Sequence, residues 1–344
     1  MKLVVVGGGW AGLAAAVRAV QAGHAVTLLE MAGQLGGRAR GVDVEGLALD
    51  NGQHILIGAY RRTLELMRTV GVDAGTVVDR RPLELRYPDG RGLRMPAGPA
   101  WLGFGLAVAR CQGWTWRDRA ALIRAAAGWA LAGFHCAPTL TVAQLCTGMP
   151  HAVRELLIDP LCVAALNTPA ADASAHVLLR VLRDALFGGP GSADLLLPRC
   201  SLRGVLPEPA RSWLQAAGAQ VQLGRRVEAI RATATAWRVD AQDCDGVILA
   251  CTASEAARLT RDIAPGWAEQ ANALRYEPIV TVYLRCAGAR LPSPMTALIE
   301  GPQAPAQFAR PLPTSHIQQQ SSRRVADFRR KLPGQAEANI IFGK

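Results

Sequence analysis

The 344-residue sequence contains no CxxC pair, although it has eight cysteines, which are scattered singly between Cys111 and Cys286. No histidine stands at a metal-site spacing from any of them. These two absences exclude a zinc-binding module as the organising feature of the chain. We therefore expect no metal site, and we interpret most of the cysteines as small buried residues of a protein in the reducing cytoplasm.

The sequence also lacks an apolar run that is long enough to cross a membrane. The best candidate, residues 125–134, has about half the required length before His135 and Pro138 interrupt it. No zinc, helix-turn-helix or RNA-binding signature is present, and no basic run has interleaved aromatic side chains. The formal net charge of +11 is therefore better explained by anionic lipid or phosphorylated ligands, and we expect no nucleic-acid partner.

The first thirty residues have the pattern of a βαβ unit. A short apolar strand, a glycine-rich turn, an alanine-rich helix and a second apolar strand follow one another at residues 3–6, 7–12, 13–22 and 25–30. The glycines of the turn interrupt the apolar run, so it does not read as a signal peptide and we expect no secretion. The unit predicts an α/β fold with a Rossmann-like dinucleotide-binding domain on a parallel sheet.

The turn itself carries the glycine pattern of a dinucleotide site. Gly7 allows a tight turn, Gly9 lets the backbone approach a pyrophosphate, and Gly12 lets the helix pack closely on the strand. The helix then offers its free amides and its positive end to phosphate. Glu30 follows at about the 20-residue spacing of an acid that accepts hydrogen bonds from a ribose hydroxyl. A purely structural turn is the alternative, but all five parts of the pattern agree on a dinucleotide site.

The loop that follows Glu30 continues the same site. Its Gly36-Gly37-Arg38 string combines a free backbone with a guanidinium that can hold a phosphate through two parallel hydrogen bonds. The alternative for Arg38 is a solvated surface charge. We favour the phosphate contact because the string lies six positions beyond the acid.

A polar cluster, Asp50-Asn51-Gly52-Gln53-His54, opens directly into an apolar strand at residues 55–58. We expect this cluster to lie at the end of a buried strand beside the cofactor. His54 is the histidine with an argued reason to be near the chemistry, as a catalytic group. A neutral imidazole that is bonded to the backbone is an equal alternative.

These strings resemble the flavin-dependent amine oxidase and phytoene desaturase superfamily. The strings LDNGQH at residues 49–54 and DPLCVAALNT at residues 159–168 resemble its squalene-associated branch, the hydroxysqualene dehydroxylases of bacterial hopanoid biosynthesis. The resemblance extends from residue 1 to residue 310. It implies FAD as the cofactor, whereas Glu30 alone would suit the ribose of either FAD or NAD.

The resemblance also implies roles for particular residues and an order of domains. By analogy alone, Val227 supplies a backbone contact to the adenine, and Asp50, Gly52 and Gln53 lie near the flavin. An α+β substrate domain is inserted in the FAD-binding chain. The expected segments are the first FAD-binding part at 1–80, a substrate- or membrane-facing helical region at 81–194, the second FAD-binding part at 195–270, substrate-domain strands at 271–310, and an atypical disordered tail at 311–344.

Local patterns add detail within these segments. Residues 101–134 combine six Trp and Phe residues with four arginines, which is typical of a helix in a membrane interface or of a packed cap over an active site. Peripheral contact with the inner face of the cytoplasmic membrane is therefore one expectation, while the oligomeric state stays open. We expect Pro160 to break a helical stretch, residues 227–230 to form a strand, and no strand or helix beyond residue 310.

The leading hypothesis is an FAD-dependent oxidoreductase that acts on an apolar isoprenoid and reduces hydroxysqualene to squalene. Reduced flavin would deliver hydride to an allylic carbon as the hydroxyl leaves, and the sequence does not identify the proton donor. A carotenoid or phytoene-type desaturase is the alternative within the superfamily. An amine oxidase is less favoured, because the sequence shows no pattern of an aromatic cage for an amine. A non-catalytic nucleotide-binding remnant is the alternative of another class, because the Gly-Asp element with which the resembled proteins close over the flavin has no match after Arg310.

Overall fold

The computed structural model describes residues 1–44, 47–287, 290–299, 306–311 and 337–343, with 285–287 and 337–343 described as backbone only. The strands in chain order are β1 (Lys2–Val6), β2 (Ala25–Leu29), β3 (Gly41–Val44), β4 (Leu47–Asp50), β5 (Leu56–Ile57), β6 (Val78–Arg81), β7 (Glu84–Arg86), β8 (Gly92–Arg94), β9 (Leu195–Pro198), β10 (Gln220–Gln222), β11 (Ile230–Ala232), β12 (Trp237–Val239), β13 (Gln242–Cys244), β14 (Gly246–Leu249), β15 (Thr281–Ala287), β16 (Thr296–Ala297), β17 (Phe308–Ala309) and β18 (Glu337–Gly343).

The helices in chain order are α1 (Trp10–Gln21), α2 (Arg61–Thr69), α3 (Ala74–Val77), α4 (Ala100–Arg110), α5 (Trp116–Leu131), α6 (Val142–Leu145), α7 (His151–Val153), α8 (Asp159–Leu166), α9 (Ala175–Phe187), α10 (Leu202–Val205), α11 (Pro207–Ala216), α12 (Ala253–Thr260) and α13 (Pro265–Asn272). A π-helical turn, Arg154–Ile158, joins α7 to α8.

A parallel four-stranded sheet in the order β10-β2-β1-β14 organises the fold, as the first thirty residues predicted. Side chains of β1 alternate between its two faces because successive residues of a strand point in opposite directions. Val5 packs into the cluster that holds α1 and α11, whereas Val4 and Val6 pack into a second cluster on the other face. The sheet therefore combines strands from the first 29 residues with strands from residues 220–249.

The second face of this sheet is covered by the antiparallel sheet β11-β12-β13 and by α12. Residues 227–230 were expected to form a strand, but β11 begins only at Ile230, so the expectation was wrong for residues 227–229. The segment before β11 instead bends to the Asp240 side chain, which accepts hydrogen bonds from the amides of Glu228 and Ala229. These side-chain bonds take the place of a strand partner.

The helical region between β8 and β9 has its own core. Helices α4, α5, α8 and α9 and the π-helical turn contribute buried side chains such as Leu122, Leu156 and Leu178. Pro160 does not break the helix, contrary to expectation, because it lies in the first turn of α8, where no backbone amide is required for a helical hydrogen bond. The Tyr87 hydroxyl donates to the carbonyl of Leu156, one of the carbonyls that the π-helical turn displaces.

Smaller sheets connect the two regions. Strands β3 and β4 form a hairpin, β9 lies between β5 and β6, and β17, β16, β7 and β8 form a mixed sheet. Strand β18 pairs antiparallel with β15, which is a departure from the disordered tail expected at 311–344. Residues 312–336 and 344, which make up the rest of that tail, lie outside the described residues. None of the helices in the described ranges is long and apolar enough to cross a membrane.

Candidate functional site

The glycine turn between β1 and α1 is packed against the neighbouring strand β14. Gly7 has a φ of 107°, in the left-handed region, and its amide donates to the carbonyl of Leu29 at 2.8 Å. A Cβ atom at Gly7 would lie 2.6 Å from the carbonyl oxygen of Ala250, and one at Gly12 would lie 1.8 Å from the carbonyl oxygen of Gly7. Both glycines are therefore required by the packing of the turn itself.

Gly9 differs from these two glycines. A Cβ atom there would meet nothing nearer than the Cα atom of Gly37, at 3.8 Å, so the protein leaves the space beside Gly9 open. Gly9 is the N-cap of α1, provides no side-chain cap, and is followed by no acidic residue in the first turn of the helix. The positive end of α1 is thus neither capped nor neutralised, which suits an anionic ligand.

Glu30 is buried at the end of β2, directly beside this turn. Its carboxylate accepts hydrogen bonds from the amide of Gly8 at 2.6 Å and from the amide of Ala32 at 2.8 Å. A carboxylate has about four lone-pair sites, so two amide donors fix its position and leave capacity for a ribose hydroxyl. The predicted ribose acid is held next to the predicted phosphate turn.

The second glycine string lies against the first. The Gly36 amide donates to the carbonyl of Gly8 at 2.9 Å, and Gly36 forms a parallel bridge with Gly9. A Cβ atom at Gly37 would approach the Cα atom of Gly9 to 3.0 Å. The structure therefore brings the two predicted glycine motifs into direct backbone contact, and both border the open space at Gly9.

Two arginines follow the second glycine pair, and the structure gives them different environments. The Arg38 side chain, the predicted phosphate ligand, is exposed, while its carbonyl accepts from the Asn51 side chain. Arg40 is half-buried, and its Nη1 atom donates to the carbonyl of Gly37 at 3.0 Å. Its Nε atom is buried without a hydrogen-bond partner among the described residues. Sequence reasoning singled out Arg38, but Arg40 also presents an unused donor at the glycine string.

The hairpin of β3 and β4 brings the 50–54 cluster to the same place. It pairs Gly41 with Asp50, and the Asn51 amide donates to the carbonyl of Arg40 at 2.8 Å. The carboxylate of Asp50 accepts from the Ser201 hydroxyl and from the Leu202 amide, both at 2.9 Å. Asp50 therefore anchors the first turn of α10, a role that the sequence did not suggest.

His54 lies beyond a left-handed turn at Gly52, with Gln53 half-buried between them. Burial lowers the pKa of His54 below its ordinary value of 6.5, although the Gly52 backbone and the Asp50 carboxylate raise it; the Arg38 charge lowers it further. The Nδ1 atom of His54 is buried without a partner among the described residues. The lowered pKa favours the neutral imidazole of His54, which lies within electrostatic reach of both Arg38 and Asp50.

Two polar side chains near Asp50, the half-buried Tyr283 and the buried Arg310, were missed from the sequence. The Tyr283 hydroxyl donates to the carbonyl of Asp50 at 2.7 Å. Arg310 is buried and donates to the carbonyl of Pro198 at 3.0 Å; burial lowers the pKa of its guanidinium, while Asp50 and Tyr283 oppose that shift. No local pattern could have revealed these contacts, because they join distant parts of the chain.

Val227, the predicted adenine contact, is buried on the second face of the parallel sheet with Val4 and Val6. Its carbonyl already accepts from the Arg258 guanidinium at 2.6 Å. In the part of the chain that the structure describes, no group of three or more His, Cys, Asp or Glu side chains could hold a metal ion.

An apolar cavity of about 300 Å³ lies within the helical region. It is bordered by α4, α5, α8, α9 and the π-helical turn, and all of its lining residues are apolar. Its buried wall includes Leu122, Leu157 and Ile158, whereas Trp101 and Phe187 at its edge are more than half exposed. No charged, hydroxyl or amide side chain lines the cavity, and its only polar side-chain groups are the indole N–H groups of Trp101 and Trp129, so it suits a hydrocarbon.

The chain is similar to a known protein family over most of its length. The sequence profile of a family described as flavin containing amine oxidoreductase matches residues 10–310. A hydroxysqualene dehydroxylase from Rhodopseudomonas palustris is 32% identical over 230 residues, which are 66% of this chain and 53% of that protein. The chain thus spans about half the length of this relative.

Two further proteins are similar over more of the chain. A probable zeta-carotene desaturase from Synechococcus elongatus is 25% identical over 322 residues, which are 84% of this chain and 66% of that protein. The crystal structure of an oxidoreductase from Methanosarcina mazei has the same fold, with a TM-score of 0.68 and 16% identity over 99% of this chain and 79% of that one.

Proposed function

Because the chain belongs to the family of flavin-containing amine oxidoreductases, we propose that it acts on a long isoprenoid and, specifically, that it takes part in the reduction of hydroxysqualene to squalene. FAD is the cofactor of this family, as the sequence predicted. The substrate and the reaction are the proposal, and the apolar cavity together with the dehydroxylase relative supports them.

The residues around the glycine turn fit the ADP half of FAD. Gly9 leaves space at the uncapped end of α1 for the pyrophosphate, and Glu30 has acceptor capacity left for a ribose hydroxyl. Arg38 and the unpartnered Nε atom of Arg40 are the donors available for the phosphates. Val227 remains the proposed backbone contact for the adenine. When bound and reduced by an external two-electron donor, the flavin would supply the hydride that the reduction requires.

The entirely apolar lining of the cavity is the observation that carries the choice of substrate. A charged or polar substrate would lose its hydration there with almost no group to hydrogen-bond, whereas an isoprenoid chain gains about 25 cal/mol for each Å² of apolar surface it buries. An amine substrate would find no carboxylate among the lining residues. The cavity therefore favours a hydrocarbon chain whose single polar group lies outside it.

His54 is the proposed polar group for the substrate hydroxyl. Its lowered pKa keeps the imidazole neutral at neutral pH, so it is better suited to orient a hydroxyl by a hydrogen bond than to donate a full proton. Asp50, Gly52 and Gln53 then hold the turn that positions the ring.

The test begins with the colour of the purified chain. We expect it to take up added FAD and to show the visible absorbance of a bound flavin, and we expect it to form squalene from hydroxysqualene when the flavin is reduced. A chain that stays colourless in excess FAD would support the non-catalytic remnant and would contradict the proposal. Inactivity of a chain that binds FAD would count against the substrate alone.

A carotenoid-type desaturase is the second candidate, favoured by the zeta-carotene desaturase that is similar over 84% of this chain. In that case hydride would move from the substrate to the flavin. Parallel assays with hydroxysqualene, phytoene and zeta-carotene separate the two functions. Turnover of a carotene alone would replace our choice with the desaturase.

We also propose that the chain touches a membrane through α4 and α5. Trp101, Leu102, Leu106 and Trp116 are exposed apolar residues on these two helices, and Arg124 is exposed on α5. Exposed indoles beside cations are typical of a surface in the headgroup layer. Because Trp101 also borders the cavity, this contact would let an isoprenoid pass from the lipid into the proposed site.

A further inference from the structure

Phe134 holds an unusual backbone conformation at the edge of the apolar cavity. It has a φ of 60°, in the left-handed region, which is an outlier for a bulky non-glycine residue. Its amide donates to the carbonyl of Trp129 at 2.7 Å, which ends α5 and fixes the conformation. Its ring is buried and forms part of the cavity lining. Local strain of this kind persists only where the surroundings enforce it, and it often marks a functional position.

The Phe134 ring contacts the ring of Phe187. The two ring centroids are 5.5 Å apart at an interplanar angle of 58°, a favourable tilted arrangement. Phe187 is the last residue of α9, is followed by Gly188 at the helix cap, and is 55% exposed. The pair therefore joins a fixed, buried ring at the end of α5 to a ring at the solvent edge of α9.

The two rings lie at the edge of the cavity, where a ligand would enter. Phe134 and Phe187 both line the cavity, as do Leu182 and Leu186 from the preceding turn of α9. The wall opposite the edge is formed by fully buried residues such as Ile158, which cannot move without disturbing the core. Phe187, by contrast, is already 55% exposed, and a change of its rotamer breaks one aromatic contact at the surface.

We propose that Phe187 is the moving part of an aromatic gate and Phe134 its fixed part, and that this gate controls the entry of isoprenoid chains. The inference rests on the proposed isoprenoid site. A ring that closes over the bound chain separates it from water, while the strained backbone at Phe134 keeps the opposing ring in place. The gate acts on the rates of entry and exit more than on affinity.

The experiment measures the binding kinetics of all-trans-retinol, an isoprenoid alcohol whose absorption overlaps tryptophan emission. Trp101 and Trp129 line the cavity, so binding should quench the emission of the FAD-loaded protein in a stopped-flow instrument. For Phe187→Ala we expect the association and dissociation rate constants both to rise roughly two- to tenfold, the factor equivalent to an aromatic pair. Phe187→Leu should give smaller increases.

Leu131→Ala is the matched control, because Leu131 is an apolar residue at the end of α5 that is 91% exposed and does not line the cavity. Its rate constants should equal those of the wild type. If Phe187→Ala raises only the dissociation rate constant, or changes neither rate constant, Phe187 is a passive part of the cavity wall and the gate proposal is wrong. If the wild type turns over hydroxysqualene without binding retinol, the cavity is not the entry site and the gate is wrong, while the proposed function stands.

Discussion

At the scale of single residues, Gly9 and Gly12 belong to one turn but are small for different reasons. Gly12 has no room for a side chain because the Gly7 carbonyl would lie 1.8 Å from its Cβ atom. Gly9 has room, since the nearest atom to its Cβ position is 3.8 Å away. Gly12 thus serves the fold, and we assign Gly9 to the cofactor.

Alanine substitutions should separate these two roles. Gly12→Ala should lower the free energy of unfolding by about 3 kcal/mol or more because the turn cannot relax around the clash. Gly9→Ala should lower it by less than about 1 kcal/mol. The same variant should weaken FAD binding at least roughly tenfold, since a methyl group takes the space of the pyrophosphate. Urea unfolding and FAD titration measure the two effects; unchanged FAD affinity in Gly9→Ala would contradict the site.

His54 predicts a dependence of stability on pH. Burial holds its pKa below the ordinary value of 6.5, so the unfolded chain binds a proton more readily than the folded chain. The stability that depends on a neutral His54 should therefore be present above pH 6.5 and decline as the pH falls below it. Denaturant unfolding between about pH 7.5 and pH 5 should show a smaller decline for His54→Gln than for the wild type.

His135→Gln is the control for this pH experiment, because it removes an exposed histidine instead of a half-buried one. It should decline with pH as the wild type does. Equal acid sensitivity of the His54→Gln variant and the wild type would show that the imidazole is not held neutral by the fold.

At the scale of elements, Asp50 connects three of them. It ends β4, its carboxylate holds the first turn of α10 through Ser201 and Leu202, and its carbonyl accepts from Tyr283 on β15. The cluster proposed to lie beside the flavin is therefore fixed by elements that are far away in the chain. This arrangement makes the hairpin a support for the site as well as a source of its residues.

Removal of these contacts should destabilise the protein in a coupled way. We expect Asp50→Ala to lower the free energy of unfolding by about 1–3 kcal/mol and Ser201→Ala by about 1 kcal/mol. The double variant should lose less than the sum, because both changes remove the same hydrogen bond. Urea unfolding of the four proteins gives the coupling energy. Strict additivity would show that the two side chains act independently.

Local elements of this fold could be predicted, whereas its long-range contacts could not. The βαβ unit follows from a pattern that spans fewer than thirty residues. The bonds from Asp50 to Ser201 and to Tyr283 span 151 and 233 positions, and no periodicity encodes such a contact. The expectation at Pro160 failed for a local reason, because a π-helical turn places the proline where a helix tolerates it.

At the scale of the whole molecule, charge and exposed apolar surface act together. The formal net charge is +11, and Trp101 and Trp116 are 58% and 72% exposed on α4 and α5. A long-range attraction to anionic lipid would concentrate the protein at a bilayer, and the two indoles would then enter the interface.

Vesicle sedimentation tests the membrane contact. The chain should bind vesicles that contain phosphatidylglycerol, and the bound fraction should fall as salt is added because ions screen the attraction. Trp101→Ala with Trp116→Ala should weaken partitioning at least roughly tenfold, as expected for apolar side chains that leave the interface. Trp267→Ala removes an indole that is 50% exposed on α13 and should have no effect. An equal loss in that control would contradict an oriented contact.

The order of strands in the parallel sheet has a consequence for the synthesis of the protein on the ribosome. Strands β1 and β2 leave the exit tunnel well before their partners β10 and β14, because 191 positions separate Leu29 from Gln220. At typical bacterial or eukaryotic rates of translation the delay is roughly 10–40 s. During this time neither outer edge of the β1–β2 pair has a partner strand. The glycine turn is therefore synthesised well before strands β10 and β14, which complete the sheet around it, so holding chaperones should matter most in that interval.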